Sequence, residues 1–493
     1  MRNYFQVRFF LNVIAISFSA FSFAQPAPEI DNNLPTDYLS KDFHAGRRAA
    51  LREIMPNNSV MVVFAYPERT FSEDITYFYH QNPDMYYFTG YKEPHSLLLV
   101  FKEPQTSSTG ETFNDILFVQ ERNPQREQWD GKRLGTDGVK EKLGIQMVRN
   151  GKDFKDFVID FSKFDKIILN QLPADVKKNR YEKADLFSLI QQFKEKSGMP
   201  EQMTKQNKFD FRLYQDLTAQ LREIKTPEEI NLLRKAIEIS CIGQNEVMKT
   251  VRPDMSELEI QGLHEYVHKR YGAEGVGYGS IIGSGENGCI LHYMENTKTK
   301  IGTSMLLMDV GAEYHGYTAD VTRTIPVDGK FSKEEKAIYQ LVYDAQEAAF
   351  KTLKDGSKWM DATNAARNVI AEGLLKLGII SNKSEVSKYY PHGLGHHIGL
   401  DVHDRGFYES LKKDMVITIE PGIYIPEGSK CDKKWWSIAV RIEDDLLITQ
   451  DGYELLSHFA PRKIEEIEKM IAQKSVLDNY KLPPLQSGKK KGF

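Results

Sequence analysis

The sequence has only three cysteines, Cys241, Cys289 and Cys431. So sparse and odd a set excludes a disulfide-built scaffold, allows one bridge at most, and leaves mostly buried free thiols as the expectation. Excess basic charge is also missing: 65 Lys and Arg stand against 69 Asp and Glu, for a net charge of −4. With no basic stripe and no RNA-binding signature, nucleic acid is excluded as a partner. There is a single long apolar run, Phe9–Phe23, which follows Arg2 and Arg8 and ends in Ser22-Phe23-Ala24 before a Pro-rich stretch. That pattern predicts a secretory signal peptide over residues 1–24, with an uncleaved anchor as the alternative. The run falls short of the roughly 20 apolar residues a membrane span needs. The expectation is an exported protein, periplasmic or secreted, with no stable span once the signal is gone.

What is present points to two or three domains: 493 residues, 41% of them hydrophobic. Residues 25–40 read as an extended leader. Helical spacing over Asp42–Met55 is followed by apolar strand runs at Val60–Ala65, Ser96–Phe101, Asp115–Val119 and Ile167–Asn170, with a helix over Lys183–Glu195. Strands alternating with helices predict an α/β N-terminal domain over 42–205. It contains no P-loop, dinucleotide fingerprint or nucleophile elbow, so it is read as non-catalytic. The polar stretch 198–210 is the expected boundary before a second domain over 210–475 and a tail over 476–493.

The second domain opens with a helix over Asp210–Ile224. A capping box, Thr226-Pro227-Glu228-Glu229, then starts another. A third helix, Met255–Tyr271, contains His264-Glu265-Tyr266-Val267-His268, a zinc-protease motif by spacing. Such a site needs a third ligand, for which Glu274 and Glu286 are the candidates in reach by sequence. Neither sits in a recognisable context, so the preferred reading is an amphipathic helix with a polar outer face.

A better metal set lies further on. Asp309 and Asp320 each adjoin an apolar strand run, flanking a hairpin whose midpoint by sequence falls between Tyr314 and His315. They are expected to be cross-strand neighbours on one face. Glu420 and Glu443 repeat the arrangement around a loop centred near Cys431–Asp432. Between the two pairs, Pro391–Asp404 gathers four of the chain's twelve histidines, His392, His396, His397 and His403, among glycines. Four carboxylates in apolar strands are costly unless cations pair them. With one imidazole they suit two divalent cations, Mn²⁺ first and Zn²⁺, Co²⁺ or Fe²⁺ after it.

The order Asp, Asp, His, Glu, Glu resembles that of the pita-bread metallopeptidases, family M24, and is most similar to aminopeptidase P, the Xaa-Pro aminopeptidases. The segments carrying the resemblance are GSGENGCILHYMEN (283–296), MDVGAEYHGYTADVTRTIPVDGKF (308–331), HGLGHHIGLDVHD (392–404), IEPGIYI (419–425) and RIEDD (441–445). In the N-terminal region they are QNPDMYYFTGYKEP (81–94) and GKRLG (131–135). The resemblance implies an exopeptidase that removes the residue before a penultimate proline by way of a metal-bridging hydroxide. It implies Asp309, Asp320, His396, Glu420 and Glu443 as metal ligands, and Glu420, His292 and His403 as catalytic groups. His392, Tyr424 and Arg441 would bind substrate. His397 is left as structural, Cys289 as packing and His315 as a solvated hairpin tip. Two departures stand out: HGLGH replaces the HGxSH common in bacterial aminopeptidase P, and Tyr86 stands where those enzymes often carry Trp. Proline-containing peptides are the expected partners, and a homo-oligomer, dimer or tetramer, the expected assembly. Prolidase is the alternative within the fold. A non-catalytic pita-bread binding module is the alternative outside it, disfavoured because all five ligands are present.

Overall fold

An apolar run such as Ser59–Phe64 cannot face water on either side, and all six of its residues are buried in the middle of a sheet. The computed structural model describes residues 37–178, 184–201 and 208–479. The expected signal peptide, most of the leader, Lys183 and residues 480–493 lie outside them. The N-terminal sheet runs Val148–Asn150, Thr112–Val119, Leu97–Thr106, Ser59–Phe64, Lys166–Leu169, Phe209–Asp210. Ser59–Phe64 is antiparallel to Leu97–Thr106 and parallel to Lys166–Leu169. Val60, Val62 and Phe64 pack with Leu99, Phe118 and Phe193 in one core.

The sheet reaches past residue 205, where the sequence ended the domain. Phe209 joins the sheet core, and its strand pairs in parallel with Lys166–Leu169. The helix expected from Lys183 spans Leu186–Ser197, because the Asp185 side chain caps it by accepting from the Ser188 N–H.

The second domain is built from two similar halves. The first has helices Pro227–Thr250 and Glu257–Arg270, then strands Ile281–Ser284, Met305–Val310 and Val321–Pro326. The second has helices Lys333–Phe350 and Trp359–Lys376, then Val416–Ile419 paired with Asp444–Ile448, and Gly422–Ile425 paired with Ile438–Arg441. Each half opens on a capping box, Thr226 with Glu229 and Ser332 with Glu335. Val247, Met308, Val342, Ile370, Ile417 and Leu446 belong to one core shared by both halves. The chain stays attached beyond 476, where the tail was expected to begin. Leu477 is buried, and Ser475 and Asp478 bond Glu246 and Thr250 on the Pro227–Thr250 helix. All three cysteines are free, but only Cys241 is fully buried. Among the described residues no helix is long and apolar enough to cross a membrane.

Candidate active site

The first carboxylate pair sits on one hairpin, out of the predicted register. Asp309 lies opposite Thr322, and Glu313 opposite Thr318 further along the same hairpin. The turn is His315-Gly316, with φ of 51° and 86°. Two left-handed central residues match the twist of the strands, so the turn falls one residue later than the midpoint read from the sequence. Asp309 and Asp320 are thus diagonal neighbours on one face rather than directly opposed. Asp320 faces Gly311, where a Cβ would come within 1.8 Å of the Ala319 carbonyl oxygen and 2.8 Å of the Tyr278 ring. The Tyr278 hydroxyl lies 2.5 Å from Asp309 Oδ1 and 2.6 Å from Asp320 Oδ1. One hydroxyl proton cannot satisfy two ionised carboxylates.

The second pair has the spacing its sequence implies. The register of Val416–Ile419 with Asp444–Ile448 continues into that of Gly422–Ile425 with Ile438–Arg441, which sets Glu420 opposite Glu443. His396 is delivered by the segment between the halves. Its N–H donates to Thr418 Oγ1 at 3.0 Å, and its carbonyl accepts from the Thr418 N–H at 2.8 Å. Only glycine at 395 allows this crossing, since a Cβ there would lie 2.0 Å from the Thr418 carbonyl oxygen. Nδ1–H of His396 donates to the His397 carbonyl at 2.9 Å, which leaves Nε2 to face the carboxylates. It points at Asp320 Oδ2 (3.4 Å), Glu420 Oε1 (3.8 Å) and Glu443 Oε1 (3.9 Å). Ligand atoms of Asp320, His396 and Glu443 all lie within 4.8 Å of one another.

These groups line a cleft of about 440 Å³. Burial, then Asp320, Glu420 and Asp309, push the Glu443 carboxyl well above its ordinary range. Burial and Asp309 raise Asp320. Burial brings Glu420 to about 7, against the pull of His396 and Arg441. Burial works against charge on His396, but Asp320 and Glu420 outweigh it and hold the ring at about 9. Four carboxylates around one imidazole and one guanidinium leave negative charge that a proton or a cation must neutralise. An oxygen-rich donor set with one imidazole nitrogen fits divalent cations. Asp309 stands outside the tight group, its second oxygen held by Arg441 Nη2.

The other expected residues fall at different depths. His292 and His403 are exposed at the cleft, and the His403 ring meets His396 edge-on at 4.3 Å. His392 lines the cleft with both ring nitrogens engaged, by the Gly393 carbonyl at 2.8 Å and the Tyr424 hydroxyl at 2.9 Å. Tyr424, expected in the substrate pocket, is instead buried behind His392. It folds back over Gly422, where a Cβ would lie 2.4 Å from its hydroxyl. Arg441 reaches the cleft but spends its guanidinium on Asp309, Tyr424 and Thr322. His397 is buried and bonded to the Phe407 carbonyl at 3.0 Å. His315 is not solvated. It is buried, stacked on Tyr38 at 3.6 Å, because the hairpin tip inserts against the N-terminal domain. There Gly316 abuts the buried Tyr86 ring.

The His264–His268 helix also differs from its reading. Both rings point inward, fully buried, over Gly243 of the neighbouring helix. Among the described residues none of their four ring nitrogens has a hydrogen-bond partner. Glu274, one of the two candidate third ligands, bonds Lys92. Burial lowers His264 well below its ordinary value and His268 to about 4. Folding therefore favours neutral rings, so their stabilising contribution holds above the unfolded pKa of 6.5 and is lost as pH falls toward 4. Thermal unfolding followed from pH 7 to 5 should show a loss approaching about 1.4 kcal/mol per pH unit per ring. The double variant His264→Leu/His268→Leu should flatten that slope. An unchanged slope would show that other groups set it.

Several contributors carry no signal in sequence. Tyr278 belongs to no motif. Asp445 accepts the Asp320 N–H at 3.1 Å, and Thr322 Oγ1 donates to Glu443 at 2.6 Å. Arg222, fully buried, donates to Asp84 and Asp401 at 2.8 Å each and also to Asp404. Lys225 Nζ meets Asp404 at 3.0 Å. This network ties the histidine segment to the N-terminal domain.

Strand-borne carboxylates from two similar halves, closed over one imidazole, define a metallopeptidase fold of the pita-bread class. The family model for metallopeptidase family M24 matches residues 231–450, and that for the aminopeptidase P N-terminal domain matches 44–168. The chain is 35% identical over 452 residues to the Xaa-Pro aminopeptidase of Escherichia coli, covering 88% of this chain and 98% of that protein. It is 33% identical over 447 residues to that of Haemophilus influenzae, with the same coverage. The structure of Escherichia coli aminopeptidase P with the inhibitor Pro-Leu superposes with a TM-score of 0.76 at 33% identity, covering 88% of this chain and 98% of that one. The chain belongs to the aminopeptidase P family of M24 metallopeptidases.

Proposed function

We propose that the protein is a dinuclear-metal Xaa-Pro aminopeptidase, a hydrolase that releases the N-terminal residue from peptides with proline second. The observation that carries this reading is the convergence of Asp320, His396 and Glu443 within 4.8 Å beside the half-open Glu420. Asp309, Asp320, His396, Glu420 and Glu443 would hold two divalent cations, Mn²⁺ being the expected pair. Bound there, the cations supply Lewis acidity and a water that ionises near neutral pH.

The chain's own groups do the rest. Glu420 sits between His396 Nε2 (3.8 Å) and His392 Nδ1 (3.7 Å) and faces the cleft. It would accept a proton from the attacking water and return it to the departing imino nitrogen of proline. His403, exposed at the cleft beside His396, would offer a ring N–H where the tetrahedral oxyanion develops, and His292 lines the same cleft. His392, lowered to about 4 by burial, presents an uncharged ring. With Leu291, Met294 and Val402 it forms an apolar wall suited to a pyrrolidine ring. Arg441 and Tyr424 hold that wall in place. The N-terminal run supports export to the periplasm or beyond, and the family resemblance supports a homo-oligomer.

Substrate length tests the reading. With Mn²⁺ present, an Xaa-Pro-Yaa tripeptide should be cut at the first bond and Xaa-Ala-Yaa left at least about tenfold behind, the discrimination a shaped apolar pocket achieves. Cleavage of Xaa-Pro dipeptides alone would make the protein a prolidase instead.

A further inference from the structure

Two glutamines, one in each half, hold the strands that carry the carboxylates. Gln244 on helix Pro227–Thr250 and Gln346 on helix Lys333–Phe350 are both fully buried. Gln244 Nε2 donates to the carbonyls of Met308 and Val321 at 3.0 and 2.8 Å. Gln346 Nε2 donates to the carbonyls of Ile419 and Ile442 at 3.0 and 3.1 Å, and lies 2.9 Å from Asp444 Oδ2. Three of these carbonyls directly precede a carboxylate, Met308 before Asp309, Ile419 before Glu420 and Ile442 before Glu443; the fourth, Val321, precedes Thr322, whose hydroxyl donates to Glu443 at 2.6 Å. Because the partners are carbonyl oxygens, the amide nitrogen must face the strands.

The second half shows why a side chain is needed. Ile442 N–H donates to the Pro421 carbonyl at 3.4 Å, but Pro421 has no N–H to return. The Ile442 carbonyl would be a buried orphan without Gln346. Holding a carbonyl fixes its peptide plane, and the plane sets the direction of the next side chain.

We propose that Gln244 and Gln346 are paired positioning residues that set the spacing of the metal-binding carboxylates, one for each half of the domain. This rests on the reading of the site as a two-cation centre. Neither glutamine touches cation or substrate; both act through the strand backbone.

The test is calorimetric titration of metal-stripped protein with Mn²⁺, alongside thermal unfolding. The variants are Gln244→Met, Gln346→Met and Thr250→Val. The last removes a half-buried hydrogen bond, to Asp478 at 2.5 Å, at the C-terminal end of the Gln244 helix. The methionine variants should each lose about 10- to 100-fold in cation affinity, the usual cost at groups that orient metal ligands. Thr250→Val should stay within about twofold while losing comparable stability, as one hydrogen bond implies. Should a methionine variant fail to fold, Gln244→Asn and Gln346→Asn keep the amide but cannot span both carbonyls, and should show a smaller loss in the same direction. Glutamine variants that bind Mn²⁺ as the wild type does would overturn the proposal alone. A wild type that binds no divalent cation would overturn the metal-centre reading and this proposal with it.

Discussion

Glu443→Gln is expected to abolish cation binding and peptide cleavage while making the metal-free protein more stable. Glu443 is buried at 2% exposure, and its carboxyl is pushed well up by burial and by Asp320, Glu420 and Asp309. An acid with a raised folded pKa destabilises the fold at every pH above its unfolded value, here 4.5. The amide removes that penalty and can still accept from Thr322 Oγ1, which lies 2.6 Å from Oε2. The gain should be absent below about pH 4.5 and grow by at most about 1.4 kcal/mol per pH unit above it. Loss of affinity should exceed about 100-fold, because changes merely neighbouring a ligand already cost about 10- to 100-fold. Scanning calorimetry with chelator, paired with metal titration, reads both effects. A metal-free Glu443→Gln that melts below the wild type would show that the carboxylate supports the fold.

Arg222→Met is expected to be the most destabilising single change away from the cleft. The guanidinium is fully buried and faces Asp84, Asp401 and Asp404. Removing it leaves Asp84 to Arg405 at 3.3 Å and Asp404 to Lys225 at 3.0 Å. Truncating one partner of a buried charge cluster costs about 3–5 kcal/mol. Lysine should not rescue it, since a point charge cannot fork to three carboxylates. Because Asp401 and Asp404 flank His403, kcat/KM should fall as well. Urea unfolding measures the first effect and peptide kinetics the second. A loss below about 1 kcal/mol, the range of exposed pairs, would mean the network is not functionally buried.

The clustering of the carboxylates was legible because each acid adjoins an apolar strand run, an expensive place for a charge with no partner. The Glu420–Glu443 pairing followed from spacing alone. The Asp309–Asp320 pairing was off by one residue of turn, since the left-handed conformation of His315 cannot be read from its identity. At His264 and His268 the zinc-protease spacing was rightly set aside, but the polar outer face expected in its place was wrong for these two residues, because a glycine on another helix opens space that buries both rings. Tyr278, Gln346 and Arg222 act across long sequence separations, and no local pattern marks them. Tyr424 stands behind His392 rather than at the cleft surface, because its ring direction depends on Gly422 leaving room behind it.

The most direct measurement is to strip the protein of metal, titrate it with Mn²⁺, and follow bound metal together with release of the first residue from an Xaa-Pro-Yaa peptide. Activity should be absent in the stripped protein and return as two cations bind per chain. It should be lost in His396→Ala and retained in His264→Ala. Full activity without metal, or loss in His264→Ala with His396→Ala unaffected, would contradict it.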